Sequence, residues 1–167
     1  AFCFNNENTR LVYFHNSSLL EHGGSPDKAV RSAFTAELDR QIRTRDKYKN
    51  GEAKITFADI EDSLILVSSS FSTQTSYENQ TKKAINNKYI QEFMTEMLRS
   101  KLEIWFIENK AEGDRVVEQI LVNKRSRESA EKQRLNIKKK LMGSIDMVNR
   151  VKKFVDCRTK DLERREL

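Results

Sequence analysis

The chain has 167 residues, 37% apolar and 34% charged, and a formal charge of +6 from 31 basic and 25 acidic side chains. The apolar share is below and the charged share above the globular average, which suits a modest core with long solvated helices rather than a compact enzyme. One proline and five glycines argue against disorder and against a turn-rich β-sandwich, and no apolar run approaches the roughly 18 residues of a membrane span.

Ala1 to Phe4 and Arg10 to Phe14 read as two short strands. The Asn5-Asn6-Glu7-Asn8-Thr9 link has the composition of a hairpin turn, since asparagine tolerates left-handed positions. A polar loop, Asn16 to Ser25, contains Glu21-His22-Gly23-Gly24. Ser25-Pro26-Asp27 marks a helix start, with Ser25 as the cap, Pro26 in the first turn and Asp27 at the positive end. Ala29, Val30, Ala33, Phe34, Leu38 and Ile42 recur at helical spacing, so this amphipathic helix runs to about Arg45. The pattern breaks at Tyr48 to Gly51, and Thr56-Phe57-Ala58-Asp59 resembles a cap before a single turn. Ser63 to Phe71 is a β-type run. Strands, helix and returning strand predict an α+β, two-layer unit with the helix over one sheet face.

Past residue 86 the character changes. Ile90, Met94, Leu98, Leu102 and Trp105 give a helix from near Asn87 to about Glu108 one apolar face. They read as core residues. A second helix is expected from Ala111 to Leu141, with Val116, Val117, Ile120 and Leu121 on one side of its first half. Gly143 is expected to end it, and Ser144 to Leu167 reads as an extended connector. The corresponding divisions are an α/β core over 1–86, a helical arm over 87–142 and a connector over 143–167. The start at Ala1, inside an apolar alternation and without an initiator methionine, suggests a piece of something larger.

Few side chains are arranged for chemistry. Cys3 and Cys157 lack metal-ligand spacing and read as free thiols in a reducing cytosol. His15 and His22 read as surface or loop histidines, with no carboxylate or cysteine at metal spacing, so no metal site is expected. Nucleophile-histidine-carboxylate sets and phosphate-cradling glycine loops are missing from the sequence. Ser76 to Lys83 stands out because a strand and a helix flank it. A lysine there supplies a point charge, and a glutamine a neutral hydrogen bond, to a phosphate in a neighbouring site. The bland alternative is a solvated loop. A basic half-helix follows, with Lys124, Arg125, Arg127, Lys132, Arg134, Lys138, Lys139 and Lys140 against Glu128 and Glu131. It admits two readings: a solvated arm, or salt-sensitive contact with duplex phosphates. A noncatalytic, basic helical nucleic-acid-binding module is therefore one reading of the whole chain.

Four landmarks in order resemble a known family across essentially the whole chain. Glu21-His22-Gly23-Gly24-Ser25 with its helix, and Tyr77-Glu78-Asn79-Gln80-Thr81-Lys82, are similar to the second domain of bacterial type II topoisomerase ATPase subunits. These are gyrase B and its topoisomerase IV equivalent. Arg125-Ser126-Arg127-Glu128-Ser129-Ala130-Glu131-Lys132 resembles the arginine- and alanine-rich helix that follows there. Val155-Asp156-Cys157-Arg158-Thr159-Lys160-Asp161 resembles the connector before the metal-binding Toprim domain. Asn79 stands where the family usually has glycine, and Ser25-Pro26 where threonine-histidine is common.

The resemblance implies a transducer domain, a ribosomal-protein-like sheet-and-helix fold with an uncommon left-handed strand-helix-strand crossover followed by long helices. It implies that Gln80 and Lys82 contact the γ-phosphate of ATP held by a preceding GHKL domain, with Lys82 stabilising its charge. It further implies Mg2+ in the intact enzyme with no ligands from this segment, and ATP-driven strand passage with a cytoplasmic location. The implied partners are duplex DNA, a DNA-cleaving A-type subunit and a second copy of the ATPase subunit. The segment alone is expected to be inactive.

Overall fold

The computed structural model describes residues 1–5, 8–77 and 83–148, with side chains as far as residue 142. In chain order the elements are β1 (Phe2–Phe4), β2 (Arg10–His15), β3 (Ser18–Leu19), α1 (Ser25–Thr44), α2 (Phe57–Glu61), β4 (Leu64–Ser70), α3 (Lys88–Glu108) and α4 (Lys110–Val148). Two compact units result, Ala1–Arg127 and Glu128–Leu167.

The first unit is the α+β structure expected, but its sheet is not built on an N-terminal hairpin. The strand order is β1-β4-β2-β3. β4 lies antiparallel to β1, with Cys3 opposite Ile65, and parallel to β2, with Val12 opposite Val67. β2 instead forms its antiparallel pair with β3, a strand inside a segment whose composition suggests a polar loop. The physical reason lies in β4. Its buried Leu64 and Leu66 claim the centre of the sheet, and the ends of the β1–β2 link are held to its approach. The Asn5 amide donates to the Ser63 carbonyl at 2.8 Å, and the Thr9 hydroxyl lies 3.2 Å from the Leu64 carbonyl.

α1 covers the sheet as its spacing demands: Ala29, Val30, Ala33, Phe34, Leu38 and Ile42 have no exposed surface. Phe2 from β1 stands edge-on to Phe34 at 5.5 Å and to Trp105 of α3 at 5.7 Å, so one aromatic chain joins sheet, α1 and α3. α3 faces this core with Ile90, Met94, Leu102 and Phe106, while Leu98 and Trp105 pack at its edge. α4 adds Val116, Val117, Ile120 and Leu121. The single turn α2 starts as expected, with the Thr56 amide donating to the Asp59 carboxylate at 2.7 Å.

Two helix boundaries differ from expectation. Gly24, not Ser25, is the N-cap of α1, because the Ser25 hydroxyl is engaged elsewhere. α4 runs through Gly143 to Val148. A mid-helix glycine costs only about 1 kcal/mol, too little to stop a propagating helix. The connector expected from Ser144 is therefore helical as far as Val148, and the rest of it lies outside the described residues. At 1.5 Å per residue α4 is about 58 Å long.

Where α4 leaves the core, a charged cluster is buried. Lys124 is 1% exposed and donates to Glu52 at 3.1 Å, while Arg125 donates to the same carboxylate at 3.1 and 3.0 Å. Arg125 first, then the Lys49 amide and Lys124, hold the Glu52 carboxyl down at about 2 against the opposing effect of burial. Arg127 donates to the fully buried Asp59 at 2.8 Å. Because Glu52 titrates below its ordinary range, its stabilisation is complete above pH 4.5 and fades as pH falls towards 2. In urea unfolding, Glu52→Gln should destabilise the chain by about 3 kcal/mol at neutral pH, since two cations lose a shared counter-charge. The variant should also lose the part of the acid dependence between pH 4.5 and 2 that belongs to Glu52, about 2 kcal/mol after discounting solvent screening.

Candidate functional site

The segment 21–25 and the segment 83–87 meet in a hydrogen-bonded collar at the start of α1. Gly23 and Gly24 have φ of +65° and +79°, left-handed values that glycine adopts without strain. Space imposes the same choice. A Cβ on Gly24 would lie 2.3 Å from the Ile85 carbonyl oxygen and 2.7 Å from the Ile85 nitrogen. With no side chain in the way, Gly24 bridges Ile85 in parallel, and Tyr77 bridges Ile85 from the other side in antiparallel.

Hydrogen bonds close the collar. The Ser25 amide donates to the Ile85 carbonyl at 2.8 Å, and the His22 amide to the Lys83 carbonyl at 3.0 Å. The Ser25 hydroxyl donates to the same Ile85 carbonyl and accepts the Asn87 amide at 2.9 Å. Asn87 is the N-cap of α3, and its side-chain oxygen accepts the Ser76 amide at 2.7 Å. Lys83 pairs with Glu21 across the rim, and that ammonium holds the exposed Glu21 carboxyl below its ordinary range. Lys83 is thereby fixed to Glu21 and His22 just before α1, and Tyr77 to Ile85, whose carbonyl accepts the first amide of α1. Gln80, Thr81 and Lys82, between them, lie outside the described residues.

The collar rests on polar pillars. The Tyr13 hydroxyl donates to Asp27 at 2.8 Å, and burial pushes this phenol up, away from ionisation. Asp27 also accepts from Arg31 at 2.8 Å. His15, expected as a surface or loop histidine, is fully buried at the end of β2. Its Nδ1 lies 2.9 Å from the Ser70 hydroxyl and its Nε2 3.0 Å from the Thr75 hydroxyl. Burial pushes this imidazole down, so neutral His15 ties the end of β4 to the segment leading to Tyr77. His22 is exposed as expected.

The basic residues of α4 divide into two groups. Lys124 is sealed inside the first unit on Glu52, so it offers no surface to a phosphate, contrary to its place in the expected set. The side chains of Arg125 and Arg127 stay 38% and 46% exposed while tied to Glu52 and Asp59. Lys132, Arg134, Lys138, Lys139 and Lys140 belong to the second unit and are exposed. Arg134 lies 3.6 Å from Glu131 of its own helix. Their charge is open to an anionic partner.

Ile85 and Glu52 are invisible to sequence reasoning. Ile85 acts through its peptide group, which no side-chain pattern reveals. The one clue to it is the glycine pair, which by itself signals only turn chemistry. Glu52 sits in a stretch that reads as a break. Among the described residues no three His, Cys, Asp or Glu side chains stand together as a metal site, and no helix is long and apolar enough to cross a membrane. Nor do the described collar residues fit a nucleotide by themselves: their cation, Lys83, already faces Glu21.

The family model for DNA gyrase B matches residues 1–136. The chain is 27% identical over 154 residues to the DNA gyrase B protein of Mycolicibacterium smegmatis, covering 92% of this chain and 22% of that protein. It is 28% identical over 159 residues to the DNA gyrase B protein of Metamycoplasma arthritidis, covering 95% and 25%. The chain thus spans about a quarter of the length of these relatives. The 43K ATPase domain of Thermus thermophilus gyrase B, solved in complex with an aminocoumarin, shares the fold at a TM-score of 0.69 and 20% identity, over 80% of this chain and 36% of that one. With a match over most of its length, this chain belongs to the DNA gyrase B family.

Proposed function

We infer that the chain is the transducer segment of the ATPase subunit of a type II topoisomerase, coupling nucleotide turnover in a neighbouring GHKL domain to DNA strand passage. One observation carries this reading. Both flanks of residues 78–82 are bonded to the collar that also starts α1 and caps α3. A pull on those flanks is a pull on Gly24, Ser25 and Asn87, and α3 shares its core with the base of α4. Contacts of this kind form a continuous mechanical path.

In this reading Gln80 and Lys82 reach the γ-phosphate of ATP in the neighbouring domain, Lys82 as a charge and Gln80 as a neutral donor. ATP supplies the binding and hydrolysis energy there, and Mg2+ takes its ligands outside this segment. The exposed cations from Lys132 to Lys140 face duplex DNA. The intact ATPase subunit pairs with a second copy of itself and with a DNA-cleaving A-type subunit in the cytoplasm, and this segment alone is inactive. The exposed basic stretch also favours a second reading, a noncatalytic helical module that binds duplex DNA without ATP.

In the full-length protein, Lys82→Ala should reduce ATP turnover by about 100-fold, the scale of losing one charge-stabilising donor, with an unchanged melting temperature. Unchanged turnover would remove Lys82 from the mechanism. Gly24→Ala should loosen the collar, because alanine is strained at positive φ and its Cβ meets the Ile85 carbonyl. The readout is faster hydrogen exchange at the Ser25 and Asn87 amides, with a stability loss of about 2 kcal/mol. For duplex binding, replacing Lys138, Lys139 and Lys140 by alanine should flatten the salt dependence by a slope of about 2.7. Lys124→Gln should leave that slope alone. Tight, salt-sensitive binding by the isolated chain would favour the noncatalytic module.

A further inference from the structure

The described residues Phe71 to Ser76, which lead towards residues 78–82, form no helix or strand. Side chains hold them instead. Asn16 and Ser17, at φ of +47° and +63°, make the tight turn between β2 and β3. The Asn16 side chain copies a rung of the sheet: its amide donates to the Ser72 carbonyl at 2.8 Å, and its oxygen accepts the Ser72 amide at 3.0 Å. From the start of α3, Tyr89 bonds to Ser72 and Gln74, and Asn87 to Ser76.

Donor counting fixes the state of His15. The Ser70 hydroxyl donates its single proton to the Phe14 carbonyl at 3.3 Å. Its oxygen therefore accepts from His15, so Nδ1 carries the proton and Nε2 is bare. Bare Nε2 accepts the Thr75 hydroxyl, whose oxygen in turn accepts from the Asn16 amide at 3.3 Å. One directed network thus runs from Asn16 through Thr75, His15 and Ser70 to the Phe14 carbonyl.

We propose that His15 positions the approach to residues 78–82 only as the neutral Nδ1–H tautomer, and that proton uptake at Nε2 releases it. A proton on Nε2 meets the Thr75 oxygen, which already accepts from Asn16. The Thr75 hydroxyl proton then has no acceptor in the network. Nor do the surrounding elements supply an anion. β3 and β4 carry no ionisable side chain. Tyr13, two residues back on the same face of β2, is bonded to Asp27 of α1, which is paired with Arg31. Arg10 stands at the opposite end of β2. α3 brings the Tyr89 hydroxyl, while Lys88 beside it faces Glu92. At the rim Glu21 pairs with Lys83, and His22 is exposed. Burial is the one influence on the imidazole, and it disfavours the cation. The clamp is therefore complete above the ordinary value of 6.5. As pH falls below that value, the unfolded chain takes up a proton that the folded one resists, and stability is lost until the lower folded value is passed. The positioning needs no nucleotide; its effect on ATP turnover rests on the transducer reading above.

Long-range proton–nitrogen NMR of the chain should find His15 protonated at Nδ1 and bare at Nε2, with a titration midpoint below that of His22. Protection of the Ser72 and Ser76 amides against hydrogen exchange, corrected for intrinsic rates, should fall about tenfold for each pH unit below the His15 midpoint. Thr75→Val should lower that protection at every pH, and His15→Gln should abolish the step. A purely structural histidine would lose stability on replacement without any such step. In the full-length protein, ATP turnover should carry the same step, again absent from His15→Gln. An Nε2–H tautomer, a midpoint at or above that of His22, or protection indifferent to the charge on His15 would each overturn the proposal. A step in protection that turnover does not follow would instead overturn the transducer role of residues 78–82 and leave the positioning standing.

Discussion

The peptide group of Ile85 lies so close to Gly24 that no side chain fits between them, and the organisation of the site depends on that approach. With the Cβ absent, one carbonyl accepts both the amide and the hydroxyl of Ser25. The same hydroxyl accepts the amide of Asn87, so the starts of two helices share one hydrogen-bonding centre. Tyr77 joins from the other side of Ile85. Backbone groups at a buried junction must be paired, and here their pairing fixes where the flanks of residues 78–82 begin and end.

Residues of one chemical type do two jobs on α4. Lys124, Arg125 and Arg127 spend their charge inside the first unit, on Glu52 and Asp59, and hold the helix to the core. Their anions are almost wholly buried, so the ion pairs are little screened and either partner left alone would be costly. From Lys132 onward the cations have no such acceptors among the described residues except Glu131, and stay solvated. Attraction to phosphates is a property of that outer group.

α3 shows the same division in apolar surface. Its inner face completes a core with α1 and α4, while Tyr89, Phe93, Met97, Ile104 and Ile107 stay exposed away from that core. Burial of the inner face is part of folding.

Much of the architecture is legible along the chain. The helical spacing from Ala29 to Ile42 and from Ile90 to Trp105, the cap at Thr56, and the apolar run of β4 are local signals. Each follows from the period of its element and a few neighbouring residues. The pairing of β1 with β4 rather than β2 is not legible, because strands choose partners by shared burial across long sequence separations. Likewise nothing near Lys124 in sequence announces that Glu52, more than seventy residues earlier, would bury its charge. The main helices, the strands β1, β2 and β4, and the family they belong to were legible in sequence alone, whereas β3 and the continuation of α4 past Gly143 were not. Which polar groups are buried together was decided by the tertiary fold, since only packing removes water from a side chain and forces it to find a partner.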